Sequence, residues 1–461
     1  MLEDILKDKQ DLFADGASTV LRGHENRTRK VRFLDGNMVA NTRSSAKGVS
    51  ARVYRNGIYG FASSSDYSPD GVEKVIGAAT HNASFLGSKS GNSSVKTAEA
   101  PRVEVPLNAE IVDAEQNMLI QACRSVDEYI KTKYPGLKSR TVQYYEDSQD
   151  KIIYTSDASS GHTVNPRCYI SVILNDETPT GAPVEVFRAF GGSGCFLDNF
   201  SDVTWIYPGI DDLYKKLQDK KNGVYAEAGE KTVILGGFLA GMIAHEAVGH
   251  TVEADMVIGG SVGGPNLGKR VGSDLVTLVD FASTVSGTKA PLPIYIDDEG
   301  VPAKDVVLIE NGILKSYMNN RETAARFGME PCGNARAWAF SDEPIIRMRN
   351  TFLMPGTSKL DDMIASVDDG YYLLETLNGQ ADLTGEFMFG VTMGYEIKHG
   401  KLGRALLDTT VTGVAFNMLK TVDMISDHVS ISSSGFCGKK QMIPVSMGGP
   451  EVRCRMMIGG R

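Results

Sequence analysis

Val233-Ile234-Leu235-Gly236-Gly237-Phe238-Leu239-Ala240-Gly241-Met242-Ile243-Ala244 runs without a charge into His245-Glu246-Ala247-Val248-Gly249-His250, and this junction decides how the 461-residue chain is read. An apolar run of about a dozen residues falls well short of the ~20 needed to span a bilayer, so it reads as a buried segment. Two imidazoles and a carboxylate at the end of such a segment need partners, because buried charge left unpaired is costly. Imidazole nitrogens are common zinc ligands, and a Glu beside the first His can take a proton from water. In the familiar His-Glu-x-x-His motif the two His are four apart on one helix face. Here they are five apart. At 3.6 residues per turn, five residues rotate the chain by ~500°, leaving the rings roughly 140° apart on a regular helix. The helix is therefore predicted to deform or end here, with Gly249 the place where a π-bulge or a helix exit is easiest.

The same letters suit a helix end with one His bonded to a backbone carbonyl and Glu246 in solvent. Three local features favour a metal site. The motif opens from an apolar segment; Glu253 and Asp255 follow closely enough to be ligands or acceptors that fix a His tautomer; and Gly236, Gly237, Ala240, Gly241 and Ala244 allow close packing around a site.

Outward from the motif, the pattern is α+β. An amphipathic helix is predicted at the start from Leu2, Ile5, Leu6, Leu12 and Phe13, followed by an antiparallel meander from Ser18 to about Ser65 with Asp35-Gly36 and Asn56-Gly57 as turns. Helices are expected from Ser68 through Ala79, from Ala109 to Lys133, and over the Lys-rich Asp211 to Lys221, the last read as a solvated face. Between them, Val142 to Glu146 and Lys151 to Tyr154 read as a hairpin turning at Asp147-Ser148-Gln149-Asp150. We place a boundary between Gly223 and Gly229, giving an N-terminal α+β domain, 1–225, with helices on an antiparallel sheet, and a β-rich domain, 226–461. In the second half, 275–279, 293–296, 306–309 and 390–393 are strand candidates, and 320–327 and 360–367 are short helices. Many of these strands are apolar or β-branched on both faces, which predicts a curved or barrel-like sheet carrying the motif helix.

Composition narrows the function. A formal charge of −9 and a pI near 5.4 argue against nucleic acid as the main partner. The charged opening Met1 to Lys9 is unlike a secretory signal, and six Cys without regular spacing are unlike a disulfide framework, so a cytoplasmic setting away from membranes is expected. Gly259 to Gly264 reads as a flexible rim loop or lid, and Asp297-Asp298-Glu299-Gly300 as a solvated hairpin turn. For Arg336, Arg347 and Arg349, peptide recognition competes with structural salt bridges, the safer assignment.

His245 to His250 followed by Thr251-Val252-Glu253-Ala254-Asp255 resembles the TldD/PmbA family of metallopeptidases, on its TldD-like branch. Gly333-Asn334-Ala335-Arg336, Pro344 to Thr351, Pro355-Gly356, Thr412-Gly413, Asn417 to Asp427, and Cys437-Gly438-Lys439-Lys440-Gln441 with Pro444-Val445 are similar to further family blocks. By composition alone the third ligand stays open among six Cys, the nearby carboxylates, His399 and His428; the resemblance implies Cys437. It further implies a peptidase with Zn2+ held by His245, His250 and Cys437; from the residues themselves we expect a metal-activated water with Glu246 as general base, acting on short or unfolded peptides. Strand addition in a β-rich cleft would receive such a peptide. A PmbA-like sister subunit or a second copy of the chain is the implied partner. The alternatives are a non-catalytic or regulatory subunit of such a complex and an amidase with a non-peptide substrate.

Overall fold

The computed structural model describes residues 2–90 and 96–459. Its N-terminal half is a seven-stranded sheet in the order Ile58–Ser64, Asn37–Arg55, Ser18–Leu34, Ser139–Thr155 and Ser160–Glu177, with Pro183–Ser193 and the short Glu104–Val105 both on Ser160–Glu177. The meander is as read: both hairpin turns have left-handed backbones, with φ of 50° and 85° at Asp35-Gly36 and 54° and 84° at Asn56-Gly57, the geometry that matches strand twist. Helices Gln116–Lys133 and Tyr207–Lys221 bury Leu119, Val126, Ile130, Ile210, Leu213 and Leu217 against Val142, Tyr144, Ile170 and Val172. Helix Pro69–Ser90 covers Val49, Ala51 and Val53.

Three expectations are corrected. Ser139–Thr155 runs straight through the expected turn at Asp147 to Asp150, because Asp147 is paired with buried Arg167 and Gln149 donates to the Trp338 carbonyl. Helix Tyr207–Lys221 is amphipathic rather than a solvated face; even Lys220 is buried, with its ammonium on the Glu185 carbonyl and Asp408. The turn at Asp297 to Gly300 is buried, not solvated. Asp297 accepts from the backbone N–H groups of Glu299, Val301 and Ala335, while Asp298 meets Arg22 and Lys151, and Glu299 meets Arg52. Arg22, Arg52 and Lys151 alternate along their strands with the residues that face the helices, so they occupy the opposite face of the sheet. That face is the seam with the C-terminal half.

Beyond Gly229 the described residues build two larger sheets and two small two-stranded ones. Gly229–Leu235, Val452–Gly459, Thr409–Val414, Glu386–Lys398 and Asp369–Ala381 pair in succession, and the last pairs back to the first, closing a five-stranded barrel. The barrel-like sheet is as expected. A six-stranded sheet runs Ile313–Leu314, Val306–Glu310, Leu278–Phe281, Asn350–Leu353, Ile443–Gly449 and Ser430–Cys437. The segment 293–296, expected as a strand, forms none. Helix Gly237–Ile243 lies between barrel and sheet, and the largest apolar core of the molecule surrounds it. Its glycines permit this approach: a Cβ on Gly241 would lie 2.7 Å from Gly448 Cα. Among the described residues no helix is long and apolar enough to cross a membrane.

Candidate metal centre

Strand Gly229–Leu235 delivers the chain through Gly236 into helix Gly237–Ile243, which widens over Ala244–Gly249 into a π-helix and tightens at His250–Val252 into a 3-10 turn. The widening resolves the spacing problem. The His250 N–H donates to the His245 carbonyl five residues back, the π pattern, and residues five apart thereby come to one side. The two imidazole rings lie 5.3 Å apart, centre to centre, and nearly perpendicular at 83°. Gly249 serves differently from the expectation. Its φ of −54° suits any residue, whereas a Cβ there would overlap the sulfur of buried Met348. The position needs space rather than backbone freedom.

Cys437 ends edge strand Ser430–Cys437 and points at the same place. Its Sγ is 3.2 Å from His250 Nε2, and the donor atoms of His245, His250 and Cys437 all lie within 4.8 Å of one another. Among the described residues this is the one group of three or more such side chains able to share an ion. His399 lies elsewhere, exposed against Asp368. The Glu246 carboxylate flanks the group, 3.9 Å from His245 Nε2 and 3.6 Å from His250 Nε2, and its side chain remains a quarter exposed.

The electrostatics suit a cation. Among the described residues neither buried ring nitrogen of His245 meets a hydrogen-bond partner, a costly state for a polar side chain without a ligand. Burial would raise the Cys437 thiol, but the neighbouring imidazoles of His245 and His250 outweigh it and pull the thiol down to about 4. Burial likewise favours neutral His250, yet Glu253 and Cys437 hold its pKa well above the ordinary value. A soft thiolate and two imidazoles within reach of each other form a donor set that fits zinc.

Several surrounding residues carry roles the sequence reading missed. Lys439 pairs with Asp255 at 2.7 Å and with buried Glu253 at 3.2 Å. Among the described residues Arg347 has no salt-bridge partner; its guanidinium, fully buried, donates to the carbonyls of Cys437, Lys439 and Gln441. Arg336 also binds carbonyls, those of Met348 and Pro444, and Arg349 alone fulfils the salt-bridge expectation, with Asp280. Only the Gly-rich flanks of Cys437 hinted that a turn there needed carbonyl donors. The expected lid at Gly259 to Gly264 is instead tied down: Ser261 donates to the Thr251 carbonyl and Val262 N–H to that of Leu383.

Three ligand-type side chains beside a carboxylate, on an α+β fold with a closed barrel, define the layout of a metallopeptidase-type protein. The comparisons with known proteins are specific. The profile described as PmbA/TldA metallopeptidase C-terminal domain matches residues 228–460, and that of PmbA/TldA metallopeptidase domain 1 matches residues 20–83. The chain is 31% identical to a Methanothermobacter thermautotrophicus protein named metalloprotease, covering 100% of this chain and 98% of that one. It is 29% identical to a Saccharolobus solfataricus protein named zinc metalloprotease TldD homolog, covering 90% of each. Its fold resembles the crystal structure of TldE from Thermococcus kodakarensis, with a TM-score of 0.77 at 16% identity over the whole of both chains. The chain belongs to the PmbA/TldD family of metallopeptidases.

Proposed function

We propose that the chain is a zinc-dependent peptidase that hydrolyses short or unfolded peptides, with His245, His250 and Cys437 as metal ligands and Glu246 as general base. One observation carries the reading: three donor atoms within 4.8 Å of each other, with a partly exposed carboxylate beside them. The unpartnered nitrogens of His245 and the lowered Cys437 thiol are what an ion would satisfy. When bound, zinc would supply Lewis acidity that polarises the scissile carbonyl and makes water more acidic. The Glu246 carboxylate takes the proton from the attacking water and returns it to the departing amine nitrogen. Cys437 and the two His orient this chemistry and do not take part in proton transfer. In this reading residues 226–461 hold the centre, and residues 1–225 are the N-terminal domain that packs against them at the charged seam. The partner is a PmbA-like sister subunit or a second copy of the chain, an expectation supported by the fold shared with a chain titled TldE. A cytoplasmic setting accords with six unpaired, buried cysteines.

The test is to incubate purified protein of known metal content with a mixed library of unstructured peptides, with and without chelator, and to read the products by mass. Chelator-sensitive cleavage is expected. Cleavage that survives complete metal removal contradicts the proposal.

A further inference from the structure

We propose that Glu253 and Lys439 are positioning residues that form a latch, aligning His250 with Cys437 for a shared ion. The inference rests on the metal-centre reading above and goes beyond it. His250 and Cys437 come from segments 187 residues apart, and two ties join their surroundings. The first fixes the ring. Nδ1–H of His250 donates to Glu253 Oε2 at 2.6 Å across one 3-10 turn, which aims Nε2 at the Cys437 sulfur 3.2 Å away. The second reaches the other segment. Lys439, two residues past Cys437, places its ammonium 3.2 Å from the same Glu253 oxygen and also on Asp255 and the Ile346 carbonyl.

Glu253 is completely buried, so its carboxylate depends on these two donors, the His250 Nδ1–H and the Lys439 ammonium. A single carboxylate oxygen therefore receives both the ring that carries one ligand and the side chain that anchors the turn carrying another. Arg347 holds the backbone of that turn independently, through three carbonyls. Removing the Lys439 ammonium thus loosens the alignment of sulfur and ring without dissolving the turn.

The experiment uses the whole chain, stripped of metal and titrated with Co(II), following the thiolate-to-cobalt charge-transfer absorption, with Zn(II) affinity read by chelator competition. Glu253→Ala and Lys439→Met are each expected to weaken metal binding by about 10- to 100-fold, the usual effect of removing a partner of a ligand, and to reduce the absorption per bound ion. The double variant should be no weaker than the worse single variant, because both changes open one latch. Lys439→Arg should restore most of the affinity. Glu253→Gln keeps volume and an acceptor for Nδ1–H, so it preserves the test should Glu253→Ala fail to fold, and an intermediate loss is expected. Wild-type affinity and absorption in Lys439→Met and Glu253→Gln overturn the latch while leaving the centre intact. Failure of the wild-type chain to bind Co(II) overturns the centre and the latch together.

Discussion

Two regions of this molecule bury charge, and they do so to different ends. At the seam, Asp298 meets Arg22 at 3.2 Å and Lys151 at 2.7 Å, and Glu299 meets Arg52 at 2.5 Å, each acid answered by a base from the N-terminal sheet. At the candidate centre, His245 has two buried nitrogens and no partner for either. What separates them is how the buried groups are answered: at the seam Arg22 Nη1 and Asp298 Oδ1 lack a hydrogen bond but face each other as an ion pair, whereas neither His245 nitrogen meets a hydrogen-bond partner among the described residues.

The contrast can be broken by substitution. Glu246→Gln should lower kcat/KM by at least about 10²- to 10⁴-fold, the range of general base catalysis, while metal content stays at the wild-type level; steady-state kinetics with elemental analysis reads both. Normal turnover would remove Glu246 from the chemistry. At the seam the effect should fall on stability. Asp298→Ala leaves Arg22 and Lys151 facing each other in a buried space, and a loss of about 3–5 kcal/mol is expected by denaturant unfolding, with unchanged metal stoichiometry. If instead metal is lost and stability kept, the division between the regions is wrong.

A smaller effect tests the packing that shapes the π-helix. Gly249→Ala pushes a methyl into Met348 and should cost about 1–3 kcal/mol, recovered in part by Met348→Ala; a thermally unchanged Gly249→Ala would show that Met348 yields freely. The gentlest test is pH. Although burial opposes it, Lys151 and Arg22 hold the Asp298 carboxyl well below the usual range. Its folded pKa thus lies under the unfolded value of about 3.9, so its contribution is complete above that value and is lost as pH falls through the acid range. Unfolding free energy measured from about pH 4 to 2 should fall on acidification less steeply in Asp298→Asn than in the wild-type chain. Equal slopes would contradict the assignment.

The sequence carried the local rules well and the long-range pairings poorly. Asp35-Gly36 and Asn56-Gly57 announced their turns because a left-handed backbone leaves few residues to choose from. His245 and His250, at an awkward spacing, forced the expectation of a distorted helix, and a π-helix is there. Asp147 to Asp150 misled because polar residues suggest a turn when their partners, Arg167 and the Trp338 carbonyl, lie far away in the chain. The same blindness turned Asp297 to Glu299 into solvent and hid Arg347, whose three acceptors are carbonyls of a turn some ninety residues on. Cys437 was reachable only through resemblance, since nothing in its spacing singles it out from five other cysteines.

The most direct test of the account is the metal content of the wild-type chain and of Cys437→Ala, purified alike and measured by elemental analysis against protein concentration. The account predicts one zinc per wild-type chain and essentially none in the variant. Equal zinc in both would contradict it.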